Sequence, residues 1–498
     1  DFYMSNTKNY TFDEYLEKKE YRKDISNLKK KDIRKKIKEK NVKFFENIFN
    51  QATENEIKRI LSYFGRLPEG FSPKPFIKTL KKFDENEEIK LYCIKNLGRT
   101  KNPEIVNVLV PYVKKSKNSF IRREAVSSIG RLRDKNNIPL LIEVIQDKDP
   151  KVIMQGIRGL LYFKNVPKVK DALSNLKYHK NETIKEIIDV ELNEEKSLSW
   201  NERYEKLKWI QPLLKNTVIN GDTKEILKLL PNDCIHLTFT SPPYYNARDY
   251  SIYSSYEEYL DFLEEIIKEI HRVTEEGRFF VLNTSPILIP RFSRKYSSKR
   301  FAIPFDIHPK IIDIGFEFIE DIIWKKPDPS AANRNGGFFQ HRKPLGYKAN
   351  SVVEYVMVYR KKTHKLLDWN MQKYSDGIIN ESKVHGEYEK TNLWKIAPAS
   401  DKVHPAIFPE ELVKRIIQFY SMKKDVIFDP FAGSGTVGKV CQNLDRYFFL
   451  TEINKNYFNY IKKSLSQKKI SNDFQANFYT YELFKRNLRE KKKDHPIK

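Results

Sequence analysis

The sequence predicts two fold classes in one chain, an all-α helical array followed by an α/β domain, and two features carry that reading. Between residues 55 and 195 a short pattern recurs at spacings of 33 and 32 residues: Phe64-Gly65-Arg66, Leu97-Gly98-Arg99 and Ile129-Gly130-Arg131. From about residue 205 the texture changes to short β-rich apolar runs alternating with amphipathic helical stretches. That alternation builds a sheet with helices on both faces. At 498 residues the chain is too long for one ordinary core.

Residues 1–54 read as a basic helical region in which Lys29-Lys30-Lys31 and Arg34-Lys35-Lys36 stand among apolar residues at helical spacing. Such a run is a solvated helix face or a phosphate-contacting one. Met4 reads as the natural start, and no apolar leader follows it.

Residues 55–195 hold the repeats. Leu160 follows Ile129 by 31 residues in a degenerate further copy, and each unit adds a second apolar helix such as 138–145. A helix pair of this length cannot bury its apolar face alone, so neighbours stack into a solenoid. The repeated glycine is expected in the left-handed region just past a helix end. The arginine after it is expected near a helix C-terminus, or in a ladder along a phosphate backbone. Glu88-Ile89-Lys90 reads as helix surface rather than part of a nuclease site.

Residues 196–466 form the α/β domain, with strands expected at 236–240, 278–282, 318–324, 352–359, 425–428 and 447–451. Helices are expected at 256–273, 305–314 and 409–420. Sites in such sheets lie at the carboxyl ends of strands. Residues 467–498 read as a basic tail.

The net charge of +26 favours a polyanionic partner, because neutralised phosphates release counterions. A lysine-biased composition is the plainer alternative. Cys93, Cys234 and Cys441 are scattered, which argues against a disulfide framework or a metal site and for a reducing compartment. No segment approaches 18 consecutive apolar residues, so no membrane association is expected.

Two motifs carry chemistry. Thr240-Ser241-Pro242-Pro243-Tyr244 follows an apolar strand. Its prolines end the strand and hold a rigid, carbonyl-rich turn. Ser241 adds an acceptor and Tyr244 a ring that can lie on another ring, which suits a planar amino-bearing base. Asp429-Pro430-Phe431-Ala432-Gly433-Ser434-Gly435-Thr436 follows Val426-Ile427-Phe428, a strand feeding a glycine turn and then a helix. Glycine lets backbone approach a ligand, and a helix N-terminus presents free N–H groups. Glu452 closes the next strand, where a carboxylate can take ribose hydroxyls. Residues 433–439 also spell Gly-x-x-x-x-Gly-Lys, but Val440 stands where a phosphate-binding loop needs Ser or Thr.

Together these pieces resemble the amino-group DNA methyltransferases of the permuted β class, in which the catalytic motif precedes the cofactor motif. The resemblance spans roughly 215–465. It includes Val218-Ile219-Asn220-Gly221-Asp222, the Ser-Pro-Pro-Tyr turn through Asp249-Tyr250, and Asp321-Ile322-Ile323-Trp324-Lys325-Lys326-Pro327. It continues with Glu354-Tyr355-Val356-Met357-Val358-Tyr359 and His404-Pro405-Ala406-Ile407-Phe408-Pro409-Glu410. The repeats more weakly resemble HEAT repeats. The implied fold is a Rossmann-like S-adenosylmethionine-dependent methyltransferase domain preceded by an all-α, HEAT-like domain.

The resemblance implies that the 431–435 loop holds the methionine part of S-adenosyl-L-methionine and Glu452 its ribose. Asp222 is then near the adenine, and Thr240, His404 and Pro405, with Asp429, Pro430, Ser434 and Thr436, belong to the cofactor site. Ser241, Pro242, Pro243 and Tyr244 are the catalytic turn, acting on a base flipped from double-stranded DNA. Serine in the first motif position resembles cytosine-N4 enzymes, whereas adenine-N6 enzymes usually carry Asp or Asn. No cysteine follows proline, which disfavours ring-carbon methylation. Asn333, Arg334, Asn335, Gln340, His341, Arg342 and Lys343 suit base edges and phosphates within a target-recognition segment at about 328–395. Its second half, 361–395, is another candidate. The implied setting is cytoplasmic, in a restriction-modification or other prokaryotic defence or epigenetic system with a cognate partner. A nucleic-acid-binding scaffold with a vestigial fold, or an RNA or protein substrate, are the readings from other classes.

Overall fold

In the computed structural model the described residues are 25–192, 200–245, 253–289, 292–293, 295–327, 344–345, 351–399, 407–466 and 475–494. The chain divides into two compact units, Asp1–Lys196 and Ser197–Lys498.

In the first unit the helices Glu54–Tyr63, Glu87–Thr100, Ser119–Gly130 and Pro150–Leu161 begin 33, 32 and 31 residues apart, and each packs on the next. Partner helices Lys74–Lys82, Ile105–Lys115, Ile138–Val144 and Pro167–Ser174 complete the pairs. Each leading helix starts on a side-chain acceptor, from Thr53, Asn86, Asn118 or Asp149, that takes a backbone N–H of its first turn. Such caps stabilise a helix by about 1 kcal/mol. The basic helix Lys30–Lys38 buries Ile33 and Ile37 in the same core.

The repeated glycines are not left-handed caps. Gly98 and Gly130 lie inside their helices, and among the described residues of this unit only Gly70 is a glycine at positive φ. Packing explains the glycines instead. A Cβ on Gly98 would stand 2.3 Å from Ser128 Oγ and 2.8 Å from Ser128 Cα, while one on Gly130 would stand 3.3 Å from Gly159 Cα. Glycine here lets successive leading helices approach. Arg99 donates to the carbonyl of Phe64, the cap residue of the preceding leading helix, at 2.6 Å, and Asn96 Nδ2 donates to Leu61 O at 3.1 Å. Those bonds satisfy carbonyls that a helix end leaves open, and they occupy the Arg99 guanidinium that a phosphate ladder would need.

The second unit is built on a nine-stranded sheet in the order β11-β1-β10-β9-β2-β3-β7-β6-β8. The strands are β1 Thr217–Asn220, β2 Ile235–Thr240, β3 Thr274–Thr284, β6 Phe316–Lys325, β7 Val353–Lys361, β8 Leu393–Lys395, β9 Val426–Asp429, β10 Tyr447–Glu452 and β11 Asn477–Thr480; β4 Ile287–Ile289 and β5 Lys299–Phe301 pair separately. Every neighbouring pair is parallel except those that β7 makes with β3 and β6. One face carries the helices Tyr256–Val273 and Ile303–Ile314 over Ile219, Phe280 and Phe428. The other carries Glu410–Tyr420 and Thr436–Asn443 over Val218, Phe239 and Ile427. No helix among the described residues is long and apolar enough to cross a membrane.

Two segments differ from expectation. The stretch expected as a basic tail supplies the edge strand β11, paired with β1, and the helix Tyr481–Asp494, which buries Phe484 and Leu488. Its lysines sit on the outer face and hide this apolar spacing from a charge count. Within the expected recognition segment, β7 lies in the middle of the sheet. Asn370, Lys373 and Tyr374 pack at the amino ends of the strands, bonded to Gly277 O, Glu275 and Asp425. That edge is opposite the one where a site is expected. Asp425 also pairs with buried Arg278, and these partners hold its carboxyl well below the usual range, although burial alone would raise it.

Gly98→Ala tests the packing role. An alanine in a helix ordinarily gains about 1 kcal/mol over glycine. Here the clash with Ser128 should reverse the sign and destabilise by about 1–3 kcal/mol in urea unfolding. Gly65→Ala, with open space around it, should be close to neutral.

Candidate active site

The strands β10, β9 and β2 lie side by side, so their carboxyl ends bring Glu452, Asp429 and Thr240 to one edge. Thr240 Oγ1 donates to Asp429 Oδ1 at 2.7 Å, and Phe431 N donates to the same oxygen at 3.1 Å. Thr240 and Asp429 are both buried. Burial pushes the Asp429 carboxyl up to about 7; the two donors pull it down and Glu452 adds to the rise.

The glycine loop is tied to β10. Ala432 N donates to Thr451 O at 3.1 Å, and Thr451 Oγ1 donates to Pro430 O at 2.8 Å. Gly433 and Gly435 have φ of 51° and 78°, where L side chains are strained. A Cβ on Gly435 would also meet Ile461 at 3.0 Å. Ser434 and Thr436 share a hydroxyl hydrogen bond, and the helix Thr436–Asn443 begins there. Glu452 accepts from Gly433 N and Asn454 N at 2.8 and 2.7 Å, one on each carboxylate oxygen, and burial raises its pKa. Asp222 follows β1, whose last residue Asn220 pairs with Glu452, and there it caps a short helix through Lys224 N and stays exposed. Lys439, from the phosphate-loop look-alike, instead pairs with Glu410.

At the end of β2, Ser241 and Pro242 lead into Pro243 and Tyr244. Here three strands converge: β3 ends at this edge, β6 ends beside it, and antiparallel β7 begins there. They deliver Asn283, Lys326 and Glu354. Asn283 Nδ2 donates to Glu354 Oε2 at 2.6 Å and lies 3.4 Å from both Ser241 Oγ and Tyr244 Oη. Ser241 Oγ donates to Tyr244 Oη at 3.5 Å, and Tyr244 Oη donates to Glu354 Oε2 at 3.1 Å. Lys326 pairs with the other Glu354 oxygen in a mostly buried ion pair. Asn283 Oδ1 is buried with no partner among the described residues.

Sequence reasoning did not single out these three residues. Lys326 and Glu354 stand in the resemblance blocks without a role. Asn283 carried one signal: a polar residue immediately after an apolar strand, at its carboxyl end. His404 and Pro405 lie outside the described residues, as do Asn333, Arg334, Asn335, Gln340, His341, Arg342 and Lys343. Of the same block as His404, Phe408 stacks on Phe239 of β2 with centroids 4.8 Å apart, and Pro409 opens the helix Glu410–Tyr420. Among the described residues no group of His, Cys, Asp or Glu could hold a metal ion.

A family model described as DNA methylase matches residues 235–463, the span that holds the turn and the glycine loop, and a HEAT-repeat model matches 73–184. The Type II methyltransferase M.ScaI of Streptomyces caespitosus is 30% identical over 248 residues, 48% of this chain and 77% of that protein. The chain belongs to the DNA methylase family. The orphan methyltransferase M.BamHII of Bacillus amyloliquefaciens is 31% identical over 257 residues, 45% of this chain and 86% of that protein. The solved structure of TTHA0409 from Thermus thermophilus, complexed with S-adenosyl-L-methionine, has 24% identity and a TM-score of 0.44. It covers 53% of this chain and 98% of its own. This methylase is a site-specific DNA methyltransferase of the class that modifies N4 of cytosine or N6 of adenine, with S-adenosyl-L-methionine as cofactor.

The methylase's residues fit that cofactor. The loop closes through two left-handed glycines, one of them too crowded for a Cβ. Glu452 uses one backbone donor per oxygen and keeps lone pairs for hydroxyls.

Glu354→Gln should lower the rate of methyl transfer by about 10²-fold, with cofactor affinity unchanged. Because the substitution leaves the Lys326 ammonium buried and unpaired, it should also destabilise the fold. Glu354→Gln/Lys326→Met should restore the unfolding temperature but not the rate. Recovery of the wild-type rate in the double variant would reduce the carboxylate to a structural role.

Proposed function

We propose that the methylase transfers a methyl group to the N4 amine of a cytosine flipped out of double-stranded DNA, as the modification activity of a restriction-modification or related defence system. The observation that carries this reading is the Ser241–Tyr244 turn, standing beside the glycine loop and backed by Asn283 and Glu354. The buried cysteines, all free thiols, suit a reducing cytoplasm.

When bound, S-adenosyl-L-methionine supplies an electrophilic methyl on a sulfonium. The 431–435 loop, with Asp429, Pro430, Ser434 and Thr436 around it, would hold its methionine part and Glu452 its ribose hydroxyls. Asp222 would lie near the adenine, and Thr240, through Asp429, fixes the loop against the turn. His404 and Pro405 would close the cofactor site.

The amine of the base is a poor nucleophile because its lone pair is delocalised into the ring. Ser241 Oγ and the Pro242 carbonyl accept its two hydrogens and favour a pyramidal nitrogen aimed at the methyl. Tyr244 covers the face of the extruded base. Orientation of this kind is where the chain lowers the barrier. The hydrogen-bonded series Ser241 Oγ, Tyr244 Oη, Glu354 Oε2 leads away from the amine and ends on a carboxylate that can receive the released proton. Serine at position 241, where adenine enzymes usually carry Asp or Asn, favours cytosine. Asn333, Arg334, Asn335, Gln340, His341, Arg342 and Lys343 are the proposed readers of the target sequence.

The test is transfer from labelled S-adenosyl-L-methionine to unmethylated genomic DNA, with the digested nucleosides identified by mass. Wild type should make N4-methylcytosine, and Tyr244→Ala should lose at least about 10²-fold in rate. N6-methyladenine as the product would overturn the cytosine reading. Retained cofactor binding with no transfer to DNA would overturn DNA as the substrate and favour RNA, protein or a scaffold role.

A further inference from the structure

The helical unit carries a groove that the methyl-transfer chemistry does not use. It lies where the leading helices Ser119–Gly130 and Pro150–Leu161 begin, encloses about 690 Å³, and is lined by Lys117, Phe120, Arg123, Lys148, Lys151 and Met154 among others. Successive repeats present the same end of the leading helix here, so the period of the solenoid places the cations of two units in one trough.

The charges in this groove are not balanced internally. Among the described residues no carboxylate pairs with Lys117, Arg123, Lys148 or Lys151. Arg122 and Asp149 also line the groove, and the two nearby acids are bonded to other groups. Asp147 holds buried Arg122 through two bonds of 2.8 and 3.0 Å. Asp149 caps its helix through Lys151 N and accepts from the Ser119 side chain. Unpaired cations so close together repel one another in the free protein, a cost relieved by an anionic occupant.

The groove also displays an aromatic ring. Phe120 is 57% exposed, and the Arg123 guanidinium lies over it, 5.2 Å from the ring centroid. Exposing that much apolar surface at the first turn of a helix gains nothing for the fold. Its flat face beside a row of cations fits a polymer that alternates anionic groups with apolar sugar edges, rather than an isolated anion.

We infer that this groove is a second DNA-binding surface, which grips the phosphodiester backbone of duplex DNA independently of base sequence. The inference rests on the reading that the chain acts on DNA. Phosphate contacts fix position and affinity without carrying sequence information. The surface therefore raises the occupancy of long DNA and leaves the choice of base to the catalytic unit.

The experiment uses the full chain with Lys117→Gln, Arg123→Gln, Lys148→Gln and Lys151→Gln combined. A control of equal charge change, Lys81→Gln, Lys95→Gln, Lys168→Gln and Lys170→Gln, removes four exposed lysines that stand outside the groove. Binding to a duplex of random sequence and to a single-stranded RNA is measured across salt concentrations, together with methyl transfer across DNA concentrations. The groove variant should bind at least about tenfold more weakly, and its salt slope should fall by about 0.9 for each phosphate contact removed. KM for DNA should rise with kcat unchanged. A slope equal to wild type, or a loss matched by the control, would overturn the groove. So would a loss confined to single-stranded RNA. Because binding is read without turnover, failure of the methyl-transfer reading would appear separately, as intact DNA binding with no methylated product.

Discussion

The hydrogen bond from Thr240 to Asp429 joins two motifs that lie 189 residues apart in sequence. Thr240 is the last residue of β2 and precedes the catalytic turn; Asp429 is the last residue of β9 and precedes the glycine loop. Parallel pairing of these strands sets both turns at one edge, and the bond fixes one against the other. It also explains why a carboxyl tolerates full burial there. With a pKa raised to about 7, Asp429 contributes stability that is complete below the ordinary carboxylate range and is lost as pH rises through about 7. A hydroxyl and an amide aimed at one of its oxygens limit that loss.

Everything else in the catalytic unit supports this meeting of strand ends. The antiparallel β7 brings Glu354 to the same edge as Asn283 of β3, which no parallel strand could do from its own amino end. At the opposite edge Arg278, Asp425, Glu275 and Lys373 form a buried, charge-balanced group, and burial holds His236 down to about 4, so it stays neutral. The sheet therefore has one edge built for ligands and one closed by ion pairs. Removing a single partner from the closed edge leaves an uncompensated buried charge.

Much of this was legible in the sequence because it is written in local signals. Strand, proline turn, glycine loop and closing acid each have their own pattern, and their order carried the resemblance. The repeat period was legible for the same reason. What escaped depends on contacts between distant segments. Gly98 looked like a helix cap because it recurs near the end of an amphipathic stretch, and only the approach of Ser128 from the next repeat shows why a side chain is excluded. Lys373 and Tyr374 lie in the stretch 361–395 expected to read DNA, yet they complete a network with Glu275 and Asp425. The strand β11 and the helix after it were hidden by lysines, since a charge count does not register the spacing of Phe484 and Leu488.

The most direct test of the account is Thr240→Val, which keeps shape and removes one donor. Cofactor affinity would be measured by calorimetry and methyl transfer at saturating cofactor and DNA, on protein shown to be folded. Coupling of the turn to the loop through Asp429 predicts that both fall together, each by about tenfold or more, as expected for loss of a buried hydrogen bond to a carboxyl. A folded variant with wild-type affinity and wild-type turnover would contradict it, and would show the two motifs to be neighbours without being one site.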